Sequence, residues 1–200
     1  LLAASYTLGQ DIELKTSDGY YGIGGNIYSG TSTIDWSNLF SGTFDGNNHT
    51  IHLDIDTTTL VSDEGEGDDD NSIMGHVVFD NGSHTEVLGG VFNYVRNCTI
   101  KNVKTTGSVK LATKKSYAAV LVGSISNSAT SFGSTNRSVI ENCTNEADMT
   151  TGAVFNVSTA AGIVGNTSSG TVTLTNCKNS GTIIAGAALT LKNGHQTLAQ

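Results

Sequence analysis

The chain has no proline and only three cysteines, and charged residues make up just 14% of it. Each shortage removes a class of protein. Cys98, Cys143 and Cys177 are an odd and sparse set, which cannot form the disulfide framework of a small secreted scaffold. The ten Lys and Arg residues are scattered and too few to neutralise a phosphate backbone, so no nucleic-acid partner is expected. No run of about 18 apolar residues occurs, so no membrane insertion is expected. Leu, Ala, Glu, Lys and Arg do not recur at helical spacing, which argues against long amphipathic helices. The opening Leu1-Leu2-Ala3-Ala4-Ser5 lacks a basic segment and is too short for a signal peptide, so export has to be argued from other features.

What the chain does have is 24 glycines, abundant Ser, Thr and Asn, and short runs of β-branched residues between them. That is the composition of strands and turns. Hydrophobic residues, 37% of the total and evenly spread, are enough for a core and argue against disorder. The formal net charge is −8, much of it in Asp63-Glu64-Gly65-Glu66-Gly67-Asp68-Asp69-Asp70.

The second half repeats itself. Ile100-Lys101-Asn102-Val103, Ile140-Glu141-Asn142-Cys143 and Leu174-Thr175-Asn176-Cys177 open three matching ten-residue segments. Asn holds the third position in each, a small apolar residue or Cys the fourth, Gly or Ala the eighth and an apolar residue the tenth. A strand of small apolar residues precedes each segment: Gly89-Gly90-Val91-Phe92, Ala118-Ala119-Val120-Leu121 and Ala161-Gly162-Ile163-Val164. The repeat is thus expected to hold three strands, with length differences absorbed in the loop before the Asn strand. One such coil cannot bury its inward face alone. Coils stacked at roughly 4.8 Å pair every backbone group with the coils above and below. Asn102, Asn142 and Asn176 would then form a side-chain ladder, with Cys143 and Cys177 stacked beside it as small, unbridged buried residues.

The first half carries Tyr6-Thr7-Leu8, Asp11-Ile12-Glu13-Leu14, Trp36 and Phe40-Ser41-Gly42-Thr43-Phe44-Asp45-Gly46-Asn47-Asn48-His49-Thr50-Ile51. This resembles the opening of β-helical surface proteins with GLUG-type repeats, a family that includes bacterial adhesins and stalk regions of immunoglobulin A proteases. Residues 161–183 resemble that family's repeat unit. The resemblance implies a right-handed β-helix, export, and a role in adhesion or as a spacer. The long acidic insertion after Leu60, the absence of proline and Met74-Gly75-His76-Val77 depart from the pattern. Independently, Asp45-Gly46 reads as a tight turn, Ile51-His52-Leu53-Asp54-Ile55 alternates as a half-buried strand, and Phe40, Phe44, Ile51, Leu53 and Ile55 are expected in the core.

Candidate chemistry is sparse. The acidic run offers oxygen ligands for Ca²⁺ but lacks the spaced pattern of a dedicated loop, and reads as a solvated insertion. His49, His52, His76, His84 and His195 form no paired zinc motif. Asp45, Asp54 and Asp56 are the nearest approach to the clustered carboxylates of a polysaccharide-cleaving β-helix, and turn formation and solvent exposure account for them. Runs such as Thr57-Thr58-Thr59 do not recur at the repeat period, which argues against an ice-binding array. Of seven Asn-x-Ser/Thr sequons, Asn81, Asn136 and Asn166 are expected on loops and are the better glycosylation acceptors.

The expectation is one all-β module, a right-handed parallel β-helix with three strands per coil and variable loop insertions. Residues 1–60 supply its N-terminal coils, 61–84 the acidic insertion and following strand, 85–186 the repeat coils and 187–200 a final strand or continuation. It is expected outside the cell or on its surface, as a structural or adhesive module, a spacer or a fibre subunit. No enzyme activity, cofactor or metal is expected. Its partners would be copies of itself or neighbouring repeats end to end, or host or matrix glycans and proteins. The alternative is a polysaccharide-binding or polysaccharide-cleaving protein on the same fold.

Overall fold

The computed structural model describes residues 2–20, 22–24, 39–56, 79–80, 85–111, 116–127, 136–152 and 159–187. The acidic run, Trp36, His76, His84, His195 and Asn81 lie outside them. The described residues are all-β, with a single short 3₁₀ turn at Thr16–Asp18. Their strands pair in parallel, except that Phe79–Asp80 runs antiparallel to Thr85–Gly89.

One five-stranded sheet holds Ser5–Thr7, Thr43–Asp45, Thr99–Lys101, Arg137–Glu141 and Thr171–Thr175, in that order. Strands one repeat apart in sequence are therefore neighbours in space. Their register aligns Tyr6, Phe44, Ile100, Ile140 and Leu174 in a single column. Side chains alternate across a strand, so Thr99 and Lys101, or Val139 and Glu141, face away from this apolar column.

A second sheet begins with Ile12–Lys15, Thr50–Asp56 and Lys104–Leu111. Ile51, Leu53 and Ile55 are buried along Thr50–Asp56, while His52 and Asp54 are exposed, as the alternating pattern requires. Gly107, at φ 92°, passes so close to this strand that a Cβ would lie 2.1 Å from the Leu53 carbonyl oxygen. In the following repeats the long strand splits into Thr144–Asn145 with Asp148–Gly152, and then Lys178–Asn179 with Ile183–Ala187.

The small-residue segment, expected as one strand, is two. Thr85–Gly89 and Phe92–Val95 are separated at Gly90-Val91, Ser116–Ala119 and Val122–Ser126 at Val120-Leu121, and Thr159–Ala161 and Val164–Ser169 at Gly162-Ile163. Packing gives the reason. Val120 and Leu121 are adjacent and both fully buried, which a flat strand with alternating faces cannot achieve. The chain turns there, and pairing continues through the corner: Val91 N–H donates to the Val120 carbonyl at 3.1 Å and Val122 N–H to the Ile163 carbonyl at 2.9 Å. The length difference between repeats lies after this pair of strands. Residues 127–136 intervene in one repeat, whereas Gly170 alone, at φ 72°, links Val164–Ser169 to Thr171–Thr175.

The core runs through all the repeats. Phe40, Phe44 and Phe92 pack together in its first half, with ring centroids of Phe92 5.0 Å from Phe40 and 5.3 Å from Phe44. Tyr20 donates its hydroxyl to the Val91 carbonyl at 2.6 Å, so a phenol at the core edge keeps a partner. Ile140 is fully buried, but Leu174, its equivalent in the last described repeat, is 48% exposed, having a described neighbour on one side only. Ile140→Ala should therefore cost about 2–5 kcal/mol and Leu174→Ala about half that or less. Urea denaturation of both variants checks this, and equal costs would contradict the one-sided burial of Leu174.

Candidate functional site

Turn geometry prepares the most ordered polar feature of the molecule. Asn102, Asn142 and Asn176 each end a strand with left-handed backbone, at φ 55°, 53° and 52°. Asn tolerates that conformation better than other residues with a Cβ. Repetition at the same register brings the three side chains together. Asn176 donates from Nδ2 to Asn142 Oδ1 at 3.2 Å, and Asn142 from Nδ2 to Asn102 Oδ1 at 3.2 Å. Asn102 donates in turn to Asp45 Oδ1 at 2.9 Å. The foot of the column is thus a carboxylate, which also accepts the Asn47 N–H at 2.8 Å and faces Lys101 Nζ at 3.4 Å. These donors, the Asn102 amide first, hold the Asp45 carboxyl below the usual carboxylate range.

A second column lies beside the first and was not anticipated from the sequence. Buried Thr105 donates its hydroxyl to Asn145 Oδ1 at 2.6 Å, and Asn145 donates from Nδ2 to Asn179 Oδ1 at 2.7 Å. Asn145 is fully buried and also closes its own turn: it accepts the Ala147 N–H at 3.0 Å and donates to the Ala147 carbonyl at 2.9 Å. This turn is what splits the long strand of the second sheet. The signal was present in the aligned segments, whose sixth position reads Thr105, Asn145, Asn179.

A third polar centre was also missed. Buried Asn127 accepts from Asn97 N–H at 2.8 Å and from the Ser138 hydroxyl at 2.6 Å, and donates to the Thr171 carbonyl at 2.8 Å. It joins three successive repeats at the mouth of the variable loop. Asn97 holds the matching position one repeat earlier, so the sequence carried a trace of it.

Cys98, Cys143 and Cys177 are free thiols. Cys143 is buried and Cys177 half-buried, since the latter sits in the last described repeat. Cys98, immediately before the strand Thr99–Lys101, is buried against Ser138, 3.6 Å from its hydroxyl. Burial pushes the Cys98 thiol up to about 11, and burial with Cys177 alongside pushes Cys143 up to about 12.

The remaining candidates are dispersed. Asn136 is exposed, and Asn166 corrects its expected loop placement. Asn166 lies within Val164–Ser169, half-buried, with its amide donating to Ser124 Oγ at 3.3 Å. A side chain engaged in a sheet is a poor glycosylation acceptor. Asp45 makes the expected turn contact, while exposed Asp54 lies in the alternating strand Thr50–Asp56. His49 contacts Asp11 at 3.2 Å and His52 contacts Thr106 at 3.1 Å. Among the described residues no group of three or more His, Cys, Asp or Glu is placed to hold a metal ion, and no helix is long and apolar enough to cross a membrane.

Compared with known proteins, the chain matches no family model, no curated protein and no solved structure.

Iodoacetamide should label Cys177 before Cys143 and Cys98 in the native protein, and all three should react after unfolding without reductant. The raised folded values mean that thiol-linked stability is complete below the ordinary value of 9.0 and is lost as pH climbs to about 12. Cys143→Ala should flatten that alkaline loss, and an unchanged profile would contradict the burial of its thiol. The sign reverses for Asp45. Its lowered value stabilises the fold above the ordinary carboxylate range and ceases to do so as pH falls through it. The urea midpoint of wild type should therefore drop more steeply below pH 4 than that of Asp45→Asn; parallel curves would remove Asp45 from the column.

Proposed function

We propose that this chain is a right-handed parallel β-helix that acts outside the cell as a structural or adhesive surface module, a spacer or fibre element. One observation carries the reading: the side-chain column Asn102–Asn142–Asn176, repeated at the same register as the strands it terminates, with Asp45 one position off register at its foot. Such a column forms only where equivalent turns lie directly over one another, which is how a β-helix is built. Strands that pair with their equivalents one repeat away, in parallel, support the same reading.

The step from architecture to role rests on where polar chemistry is spent. The most connected polar side chains, Asn102, Asn127, Asn142 and Asn145, hold one repeat to the next. Outward charges are dispersed into shallow pairs such as Lys104–Glu146 at 2.8 Å, which contribute little to stability. An element whose function is to hold shape and length needs this distribution. The resemblance of the opening motif and of residues 161–183 to GLUG-type surface proteins points the same way, and end-to-end contact with neighbouring repeats is the natural partnership.

Antibodies against the purified chain are expected to label intact, unpermeabilised cells of its source organism. Incubation with polysaccharides should release no reducing ends. Labelling only after permeabilisation would sink the surface reading. Cleavage abolished by Asp54→Asn or Asp56→Asn would replace it with a polysaccharide-active enzyme.

A further inference from the structure

The two asparagine columns run in opposite directions, and this determines what the exposed edge of the last described repeat accepts. Chemistry fixes both directions. Asp45 can only accept, so Asn102 must donate to it, which leaves Asn102 Oδ1 to accept from Asn142 and Asn142 Oδ1 to accept from Asn176. In the second column the Ala147 N–H and carbonyl orient the Asn145 amide, whose remaining N–H donates onward to Asn179. Asn179 uses one N–H on the Gly181 carbonyl at 3.0 Å. Among the described residues, the edge therefore ends with an acceptor at Asn176 Oδ1 and an N–H donor at Asn179, three positions further on.

We propose that this edge, formed by Thr171–Thr175, Lys178–Asn179 and Ile183–Ala187, docks one further parallel coil carrying an Asn-x-x-Asn pair. The inference rests on the β-helix reading above. The first Asn of the incoming coil donates to Asn176 and the second accepts from Asn179. Asn142 and Asn145 meet Asn176 and Asn179 in the same manner within the fold. Leu174, 48% exposed at the end of the column Tyr6, Phe44, Ile100, Ile140, supplies the apolar surface that such a coil would cover.

The opposite edge of a second copy does not fit. Thr7 shares its register column with Thr175, and Ile12 shares its column with Asn179. Leu8 and Ile12 would therefore fall over Asn176 and Asn179. Neither side chain has a donor or acceptor, so Asn176 Oδ1 would gain no partner, and the Asn179 N–H, at the position where Asn145 is fully buried, would be buried without one. The edge thus selects neighbouring repeats over head-to-tail copies.

The test inserts a second copy of residues 153–187 after Ala187, which shares its register with Gly152, in the full chain. Its β-sheet circular dichroism should increase and its urea midpoint should rise. Asn176→Asp in the inserted copy should abolish most of that rise, because a carboxylate cannot donate to the resident Asn176. Asn179→Asp in the inserted copy should keep the larger part of it, because a carboxylate still accepts from the resident Asn179 and gives up only the local bond to the Gly181 carbonyl. Both residues tolerate left-handed backbone, so a turn role alone would make the two variants equal. Equal midpoints with a retained β-sheet gain would overturn the pairing while leaving the β-helix intact. An insert that adds neither sheet signal nor stability would overturn both. Sedimentation velocity of the wild-type chain should show no concentration-dependent growth, and head-to-tail oligomers would refute the selectivity.

Discussion

The structure depends on one constraint: parallel strands from successive repeats must keep the same register at every turn. A shift by one residue would exchange inward and outward faces, placing His52 and Asp54 in the core in place of Leu53 and Ile55. Backbone hydrogen bonds between parallel strands do not prevent such a slip, because every register offers the same pattern of N–H and C=O groups. The side chains at the corners do prevent it. Asn102, Asn142 and Asn176 can bond one another only when their turns coincide, and Asn145 can reach both Thr105 and Asn179 only in the same alignment. Asn145 is fully buried, and a buried amide is expensive when unsatisfied, so the second column penalises misregister more strongly than it rewards the native state, while the exposed first column only favours the aligned turns.

The corners also explain why a chain without proline turns so often. Left-handed backbone at Asn47, Asn48, Asn97, Asn102, Asn142 and Asn176 does the work that proline or paired glycines do elsewhere. Asparagine serves both purposes in this setting. Its backbone bends the chain, and its side chain ties the bend to the repeat beneath it. Glycine turns the chain at Gly170 and also serves closer approaches, as at Gly107 over the Leu53 carbonyl.

Much of this was legible in the sequence because repetition makes a position visible. The Asn of the first column stands at a fixed place in three aligned segments, and the apolar columns follow from strand alternation around it. Asn145 was overlooked although its position recurs, because Thr105 breaks the identity while preserving the chemistry of a side chain that can donate. Asn127 had a weaker trace: Asn97 matches it one repeat earlier, but its value comes from a place beside the variable loop where three repeats converge. The corner at Val120-Leu121 was hidden for a different reason. Consecutive apolar residues describe a buried strand and a buried bend equally well, and only packing tells them apart. Asn166 was misplaced on a loop because Asn, Thr and Ser together mimic turn composition even inside a sheet.

The one-sided burial at the last described repeat reaches beyond the exposure of Leu174. Ile140 and Leu174 occupy the same place in the repeat, yet one is sealed and the other half open, and Cys143 and Cys177 differ in the same sense. The hydrophobic contact available to a residue is set by its rank in the stack rather than by its identity. On the proposed β-helix reading, the fold has no single centre from which stability declines outward in all directions. Its stability varies along one axis, so amide exchange would proceed from the open repeat inward, one layer at a time. Tolerance to substitution would follow the same gradient, and averaging equivalent positions across the repeats would erase it.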